Sequence, residues 1–289
     1  MNEGLTSIII VTADSGPATL ECVTRALASD VVVEVLLVDN GSRDEVPQSV
    51  ARRYRDDARL RVLYNEANLG FGAAANIGVE HAGGDGVLVL NPDCLIEPDT
   101  VRQLRALCAA HARAGLVGAV ICDKGGVVDP SSRRRDPLLR RALATLRSRS
   151  GSAAGGIHVP GPVPQAASEE EAISGALMFL PRTVFERVGG FDAGYFLHCE
   201  DLDLCRRVRD AGYRVLLAGQ VRVLHAGGGS SRHRPVFVSR HKHAGMWRWF
   251  RKFDPAARNP LLAVLVWCGL WAHFLAKIPI QLVARSRMR

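Results

Sequence analysis

Five apolar runs of strand length, Ser7 to Val11, Val33 to Val38, Leu60 to Leu63, Val87 to Leu90 and Leu116 to Ile121, alternate with stretches of helical period. Such alternation predicts a parallel sheet whose strands are joined by crossover helices, a Rossmann-like α/β layer. Pro17 suits a first helical position ahead of Leu20, Val23 and Leu27, as does Pro98 ahead of Val101, Leu104 and Leu107. With 289 residues, 47% hydrophobic and 23% charged, the chain can bury one large core or two small ones, which excludes a disordered protein.

Between Lys124 and Glu171 the pattern breaks into Arg-rich, Ser/Gly-rich and Pro-rich pieces, including Gly151 to Gly156 and Pro160, Pro162 and Pro164. Such composition reads as a mobile connection. Order is expected to return with Ile173 to Leu180 as a buried strand, a helix around Val184 to Val188, a Gly-rich turn and a second helix from about Glu200 to Ala211. The segment Leu261 to Val283 is strongly apolar but holds His273, Lys277 and Pro279. It is borderline against the roughly 20 apolar residues that a spanning helix needs. Trp247, Trp249, Trp267 and Trp271 among arginines fit a helix lying in a membrane interface, and a C-terminal helix packed on the protein is the plain alternative.

The net charge of +8 would suit nucleic acid, anionic lipid or a phosphorylated substrate alike. Its placement is more selective. Basic residues gather at Arg133, Arg134, Arg135, Arg140, Arg141, Arg147 and Arg149, and again from Arg232 to Arg258, without a motif that reads a nucleic-acid groove. Seven scattered cysteines argue against a full disulfide framework, and Cys199 and Cys205 are spaced wrongly for paired zinc ligands. Together with an N-terminus that does not read as a leader, they predict a reducing, cytosolic compartment.

Ligands of open parallel sheets sit beyond the carboxyl ends of the strands. Those ends here are small and polar: Thr12, Ala13 and Asp14; Asp39, Asn40, Gly41 and Ser42; Asn91, Pro92 and Asp93. Neither a Gly-x-Gly-x-x-Gly fingerprint in the first turn nor a P-loop occurs, which disfavours a dehydrogenase or an ATPase. Asn68 to Gly72 precedes a helix of small residues, where either a ligand approaches closely or Gly70 and Gly72 simply form a tight turn. A buried Asp93 requires exposure, hydrogen bonds or a cation; Mg²⁺ or Mn²⁺ would suit it, and a solvated turn Asp is the alternative.

Glu200, Asp201 and Asp203 open the second helix, and their charge also complements the helix dipole. Asp201 shares one face with Leu204, Val208 and Ala211, so it is expected to face inward while Glu200 and Asp203 point elsewhere. His225 ends another apolar run and precedes a Gly-rich turn, Ala226 to Ser231, so that its imidazole and several backbone N–H groups could meet a diphosphate; a structural histidine is the even alternative.

In order, these pieces resemble the family 2 glycosyltransferases of GT-A fold, in particular the rhamnosyltransferase-like branch. The resemblance runs from about Leu5 to Ser231. It is carried by Val38-Asp39-Asn40-Gly41-Ser42, Asn68-Leu69-Gly70-Phe71-Gly72, Asn91-Pro92-Asp93, Ser174-Gly175-Ala176, Gly189-Gly190-Phe191-Asp192 and Glu200-Asp201-Leu202-Asp203-Leu204. The family's usual Asp-x-Asp stands here as Asn91-Pro92-Asp93, as it does in that branch.

The resemblance implies a mixed, mainly parallel α/β sheet flanked by helices over residues 1–235, with 124–171 as a variable loop region. Residues 236–289 would form a basic, amphipathic extension that associates with a membrane. It implies that Thr12 and Asp39 hold the nucleotide, with Asn40, Asn68, Gly70, Asn76, Asn91, Ser174 and Gly175 around the donor. Asp93 and His225 would hold a divalent metal, Mg²⁺ or Mn²⁺, and the diphosphate. Asp201, with Glu200 beside it, would act on the acceptor hydroxyl in a single inverting displacement. The implied partners are a nucleotide-sugar donor, most closely thymidine-diphosphate rhamnose, and a glycan precursor on polyprenyl diphosphate at the inner face of the cell membrane. A uridine donor carrying galactofuranose, glucose or N-acetylglucosamine is the alternative, as is a silent nucleotide-sugar-binding module.

Overall fold

The computed structural model describes residues 2–147, 156–225 and 234–286. Four strands, β1 (Asn2–Thr12), β2 (Val32–Asn40), β3 (Leu60–Asn65) and β4 (Gly84–Leu90), lie parallel in the order β3-β2-β1-β4. The helices α1 (Ala18–Leu27), α2 (Val46–Arg53) and α3 (Phe71–Glu80) make the crossovers. Runs such as Ile8-Ile9-Ile10-Val11 form strands here because β-branched side chains pack well on a pleated surface covered on both faces. The period of two sorts them: Ile9, Val11, Leu36 and Val38 enter one core, and Ile8, Ile10, Val35 and Leu37 enter the other.

Beyond β4 the chain adds β5 (Cys94–Leu95), α4 (Thr100–Ala110), β6 (Ala114–Cys122), α5 (Leu139–Arg147), β7 (Ser168–Glu169) and β8 (Leu177–Pro181). It continues through α6 (Arg182–Arg187), α7 (Glu200–Asp210) and β9 (Arg214–His225). The sheet completes as β4-β8-β6-β9-β5, with β7 on β9. Because β8 is antiparallel to both β4 and β6, the sheet is mixed and mainly parallel, as expected. This reversal matters for the site: Leu90 at the end of β4 pairs with Leu177 at the start of β8, so the residues after β4 and before β8 share one edge.

Three expectations need correction. The strand expected over Ile173 to Leu180 starts only at Leu177, because the preceding backbone is committed elsewhere: Ala172 N–H donates to Arg134 O and Gly175 N–H to Asp201. Pro98 lies in the turn before α4, whose first residue is Thr100 with Asp99 as its N-cap. The described parts of 124–171 are not a loose connection. Arg133 pairs with Glu170, Arg141 with Glu171, and Asp136 receives both Arg206 and Arg209 from α7. These pairs join charges far apart in sequence, so composition alone concealed them. Arg149 and Gly151 to Gly155 lie outside the described residues.

The expected C-terminal extension divides in two. Helix α8 (Pro235–Phe253) belongs to the globular layer: Trp249 is fully buried in the same core as Ile9 and Leu204, and Asp192 accepts hydrogen bonds from Arg248 and Lys252. Helix α9 (Pro260–Ser286) keeps one side on α8 through buried Ala263 and Phe274 and a 3.0 Å contact between His243 Nε2 and His273 Nδ1. Its other side, from Leu261 through Leu265 to Ile280, is apolar and exposed.

Candidate active site

The carboxyl edge of the sheet collects the candidate groups. Asp93 follows β4 directly before β5, and β5 pairs with the end of β9 so that Cys94 lies opposite His225. This pairing brings together residues 132 positions apart, with His225 Nε2 at 3.0 Å from Asp93 Oδ1. Asp93 is buried and its hydrogen bond raises the His225 imidazole above its ordinary range, against an opposing effect of burial. The Cys94 thiol completes a cluster in which one ligand atom from each residue lies within 4.8 Å of the others. Burial and then the Asp93 charge push that thiol well up. The Gly-rich turn Ala226 to Ser231 lies outside the described residues.

Asp201 opens α7 at the same edge. Gly175 N–H donates to its Oδ2 at 3.0 Å, Leu202 N–H to its Oδ1 at 2.8 Å, and the Arg134 guanidinium forms an ion pair with Oδ2. Burial acts to raise the Asp201 carboxyl, but Arg134 and the two amides outweigh it and hold the group below the usual carboxylate range. Asp93 and Asp201 are joined by a short path. Asn91 N–H donates to Ala176 O at 2.9 Å, and the neighbouring Gly175 reaches Asp201. Ser174 Oγ accepts from Ser131 Oγ and from Ala176 N–H beside them.

Glu200 and Asp203 do not point away, contrary to the helical-face reading. Asp203 is fully buried between Arg207 Nε at 2.5 Å and Lys252 Nζ at 2.6 Å, and Glu200 is 8% exposed. The single-face argument failed because α8 covers a second side of α7. Glu200 Oε2 has no hydrogen-bond partner among the described residues, and burial followed by the Asp201 charge pushes this carboxyl up to about 8. Burial and the Asp201 charge therefore favour the protonated form of Glu200.

The helix start is held in an unusual backbone. His198 and Cys199 both have positive φ, 67° and 73°, where side chains with a Cβ are disfavoured. Paired residues of this kind concentrate at functional sites, where the surrounding structure over-determines them. Gly245 of α8 fits against them, since a Cβ there would stand 2.7 Å from His198 O.

The nucleotide candidates divide. Thr12 and Asp39 stand side by side in register at the ends of β1 and β2; Thr12 Oγ1 is buried without a hydrogen-bond partner among the described residues, and Asp39 Oδ1 accepts from Ser42 N–H at 2.9 Å. The Asn91 side chain makes no hydrogen bond among the described residues. Asn40, in contrast, spends its whole amide internally: Nδ2 donates to Asn68 Oδ1 and Gly70 O, and Oδ1 accepts from Leu69 N–H and Asn65 Nδ2. Asn76 donates to Phe191 O and accepts from Phe191 N–H, each at 2.8 Å. Gly70 has φ of 90°, and a Cβ there would meet Phe196 O at 2.6 Å. Phe71 N–H at the start of α3 is already given to Phe196 O at 3.0 Å. The tight-turn reading of this glycine segment is thus the one that its contacts favour, and Asn40, Asn68 and Asn76 shape loops around the edge.

Sequence reasoning missed Arg134, which it counted only as part of a basic cluster. It also missed the α8 residues that enclose α7. The signal for either would have been a long-range pairing, which no local pattern carries.

Residues 7–163 match the family model described as glycosyl transferase family 2. The chain is 30% identical to the N-acetylglucosaminyl-diphospho-decaprenol L-rhamnosyltransferase of Mycobacterium tuberculosis, over 88% of this chain and 92% of that protein. It is 23% identical to the rhamnosyltransferase WbbL of Escherichia coli, over 67% and 83% of the two chains. Among solved structures, the mannosyltransferase PcManGT from Pyrobaculum calidifontis in complex with GDP-Man and Mn²⁺ superposes with a TM-score of 0.59 at 20% identity, covering 98% of this chain and 79% of that one. The GT-A sheet, the family match and these relatives lead to one conclusion: the chain is an enzyme of glycosyl transferase family 2 and resembles its rhamnosyltransferases.

Proposed function

We propose that the protein transfers rhamnose from thymidine-diphosphate rhamnose to a hydroxyl of a glycan precursor carried on a lipid diphosphate, with inversion at the anomeric carbon. The observation that carries this reading is the hydrogen-bonded path from Asn91 through Ala176 and Gly175 to Asp201, which keeps Asp93 and Asp201 on one sheet edge. The M. tuberculosis relative, named for this activity and similar over most of its length, supports the choice of donor and acceptor.

Asp201 removes the proton from the acceptor hydroxyl as its oxygen attacks, a role worth about 10²–10⁴-fold when the base is well placed. Thr12 and Asp39 hold the base and ribose, and Asn91, Ser174 and Gly175 border the sugar. Asp93 and His225 hold a divalent ion, for which their carboxylate oxygen and imidazole nitrogen are a fitting donor pair. Such an ion, when bound, stabilises the charge of the departing diphosphate.

Helix α9 brings the enzyme to its lipid-linked acceptor by lying in the membrane interface. Its apolar stretch Pro260–Leu282 is 23 residues with a mean hydropathy of 1.8, long enough to span. Its contact with α8 favours lying flat, because α8 is itself built into the globular core. A cavity of about 580 Å³ at the α8–α9 turn is bordered by Arg251 and Arg258, where anionic headgroups would find cations beside the apolar face.

The decisive test is nucleotide release from a panel of thymidine- and uridine-diphosphate sugars, with and without lipid-linked acceptor. Acceptor-dependent release of thymidine diphosphate from the rhamnose donor is expected. Asp201→Asn should abolish it while sparing donor binding, and Asp93→Ala should weaken both. Release only from a uridine donor would overturn the donor assignment, and donor binding without any turnover would leave a silent module.

A further inference from the structure

Arg134 lies in the segment between β6 and β8 that joins the two halves of the fold, and its side chain runs inward to α7. Its backbone is fastened first: Arg134 N–H donates to Ala172 O at 2.8 Å, and Ala172 N–H returns a bond to Arg134 O at 2.9 Å. The guanidinium Nη2 then donates both to Ile173 O and to Asp201 Oδ2, with only 13% of the side chain exposed. Its Nε is buried without a partner among the described residues. A buried guanidinium left partly unsatisfied is costly, and it persists here on the strength of its contact with Asp201.

Asp201 needs such a partner. Its neighbours are Glu200 and Cys205 on α7, His198 and Cys199 before it, Gly175 from the loop ahead of β8, and Arg134; from α8, Lys242 and His241 reach His198. Burial and the adjacent Glu200 both work against a negative charge at this point. Arg134 is the cation in direct contact with it.

We propose that Arg134 is the positioning residue of the catalytic base: together with the Gly175 N–H it fixes Asp201 Oδ2 and keeps the carboxylate ionised and ready to accept the acceptor proton. This rests on the assignment of Asp201 as the base. Arg134 touches no reacting atom, and its action passes through Asp201 alone. The arrangement limits how strong a base Asp201 is, because each bond to Oδ2 lowers its proton affinity. In exchange, the contact offsets burial and favours the ionised carboxylate.

The consequence is readable in the acidic limb of the pH profile of kcat/KM for the sugar acceptor. Wild-type enzyme should lose activity only well into the acid range. Arg134→Gln removes the charge and leaves only the Gly175 and Leu202 amides to oppose burial, so the limb should move upward by about one unit or more, with donor KM unchanged and kcat reduced. Arg134→Lys keeps a charge on a shorter reach; its kcat should fall with a smaller upward movement of the limb, and it serves where the Gln variant fails to fold. A folded Gln variant with the wild-type limb, or a Lys variant with wild-type kcat and limb, overturns the inference. Asp201→Asn is measured in parallel: if it retains turnover, the base assignment fails independently of Arg134. If it is inactive while both Arg134 variants keep the wild-type limb, the role of Arg134 alone fails.

Discussion

Gly175→Ala is the smallest change that should disable the enzyme without touching a charged group. A Cβ built on Gly175 would stand 2.9 Å from Asp201 Cβ and 3.0 Å from Asp201 Oδ2. Ordinary carbon contacts lie at about 3.5–4.0 Å, so the two side chains must part by roughly 0.5–1 Å. Gly175 is not among the residues of positive φ, so alanine meets no backbone penalty and the clash is left to the side chains. Asp201 Cβ cannot retreat with the helix, because Leu202, Leu204 and Cys205 behind it are buried. The carboxylate must therefore swing, breaking the 3.0 Å bond from Gly175 N–H. A misplacement of about 1 Å costs on the order of 10²-fold, close to 2.7 kcal/mol in the barrier. Steady-state release of nucleotide in the presence of acceptor should show this as a fall in kcat with donor KM unchanged. Circular dichroism and thermal melting check that the fold survives. A folded variant with wild-type kcat would refute the placement of Asp201 as the base.

Glu200 gives a stability test with a definite sign. Its folded pKa is raised from 4.5 to about 8, so between those values the folded chain binds more protons than the unfolded chain and its stability falls as pH rises. Glu200→Gln removes this slope, and its Tm relative to wild type should improve steadily from the lower to the upper end of that window; parallel curves would contradict the burial of a neutral acid. At the membrane, Arg251→Gln with Arg258→Gln should weaken binding to phosphatidylglycerol-containing vesicles by roughly 30-fold, taking about 1 kcal/mol for each cation, and leave binding to phosphatidylcholine vesicles unaltered. Co-sedimentation measures it, and equal losses on both vesicles would mean that the two arginines support the fold of the turn instead.

The parts of the fold that were legible in sequence are those set by local pattern. Ile8 to Val11, Val35 to Val38 and Val87 to Leu90 form strands where periodicity and β-branching placed them, and the change from alternation to helical period located α1 and α4. What was not legible depends on contacts between distant residues. The 124–171 segment looked loose because its arginines appear as a cluster, yet Arg133, Arg134 and Arg141 each meet an acid at least 30 residues further along the chain. Helix α8 looked like the start of an extension because its basic residues suggested a surface. Lys252 and Arg248 are instead absorbed by Asp203 and Asp192, and Trp249 fills the core.

The same distinction runs through the site. Strand-end residues Thr12, Asp39 and Asp93 could be named as candidates because the topology of a parallel sheet fixes where strand ends converge. Asn68 in the Asn68–Gly72 turn carried an equally strong motif, but its Oδ1 is taken up by Asn40 Nδ2 and Gly70 N–H, and the whole side-chain amide of Asn40 is spent on the same region. Motif strength thus reports that a residue is constrained, while the hydrogen-bond inventory decides by what. Applied to α7, that criterion separates three neighbouring acids that sequence ranked by helical face alone. Asp203 is neutralised by Arg207 and Lys252, and Glu200 favours its protonated form. Asp201 is held ionised by Arg134 and two backbone amides and follows a backbone of positive φ at His198 and Cys199, which is why the proposal rests on it.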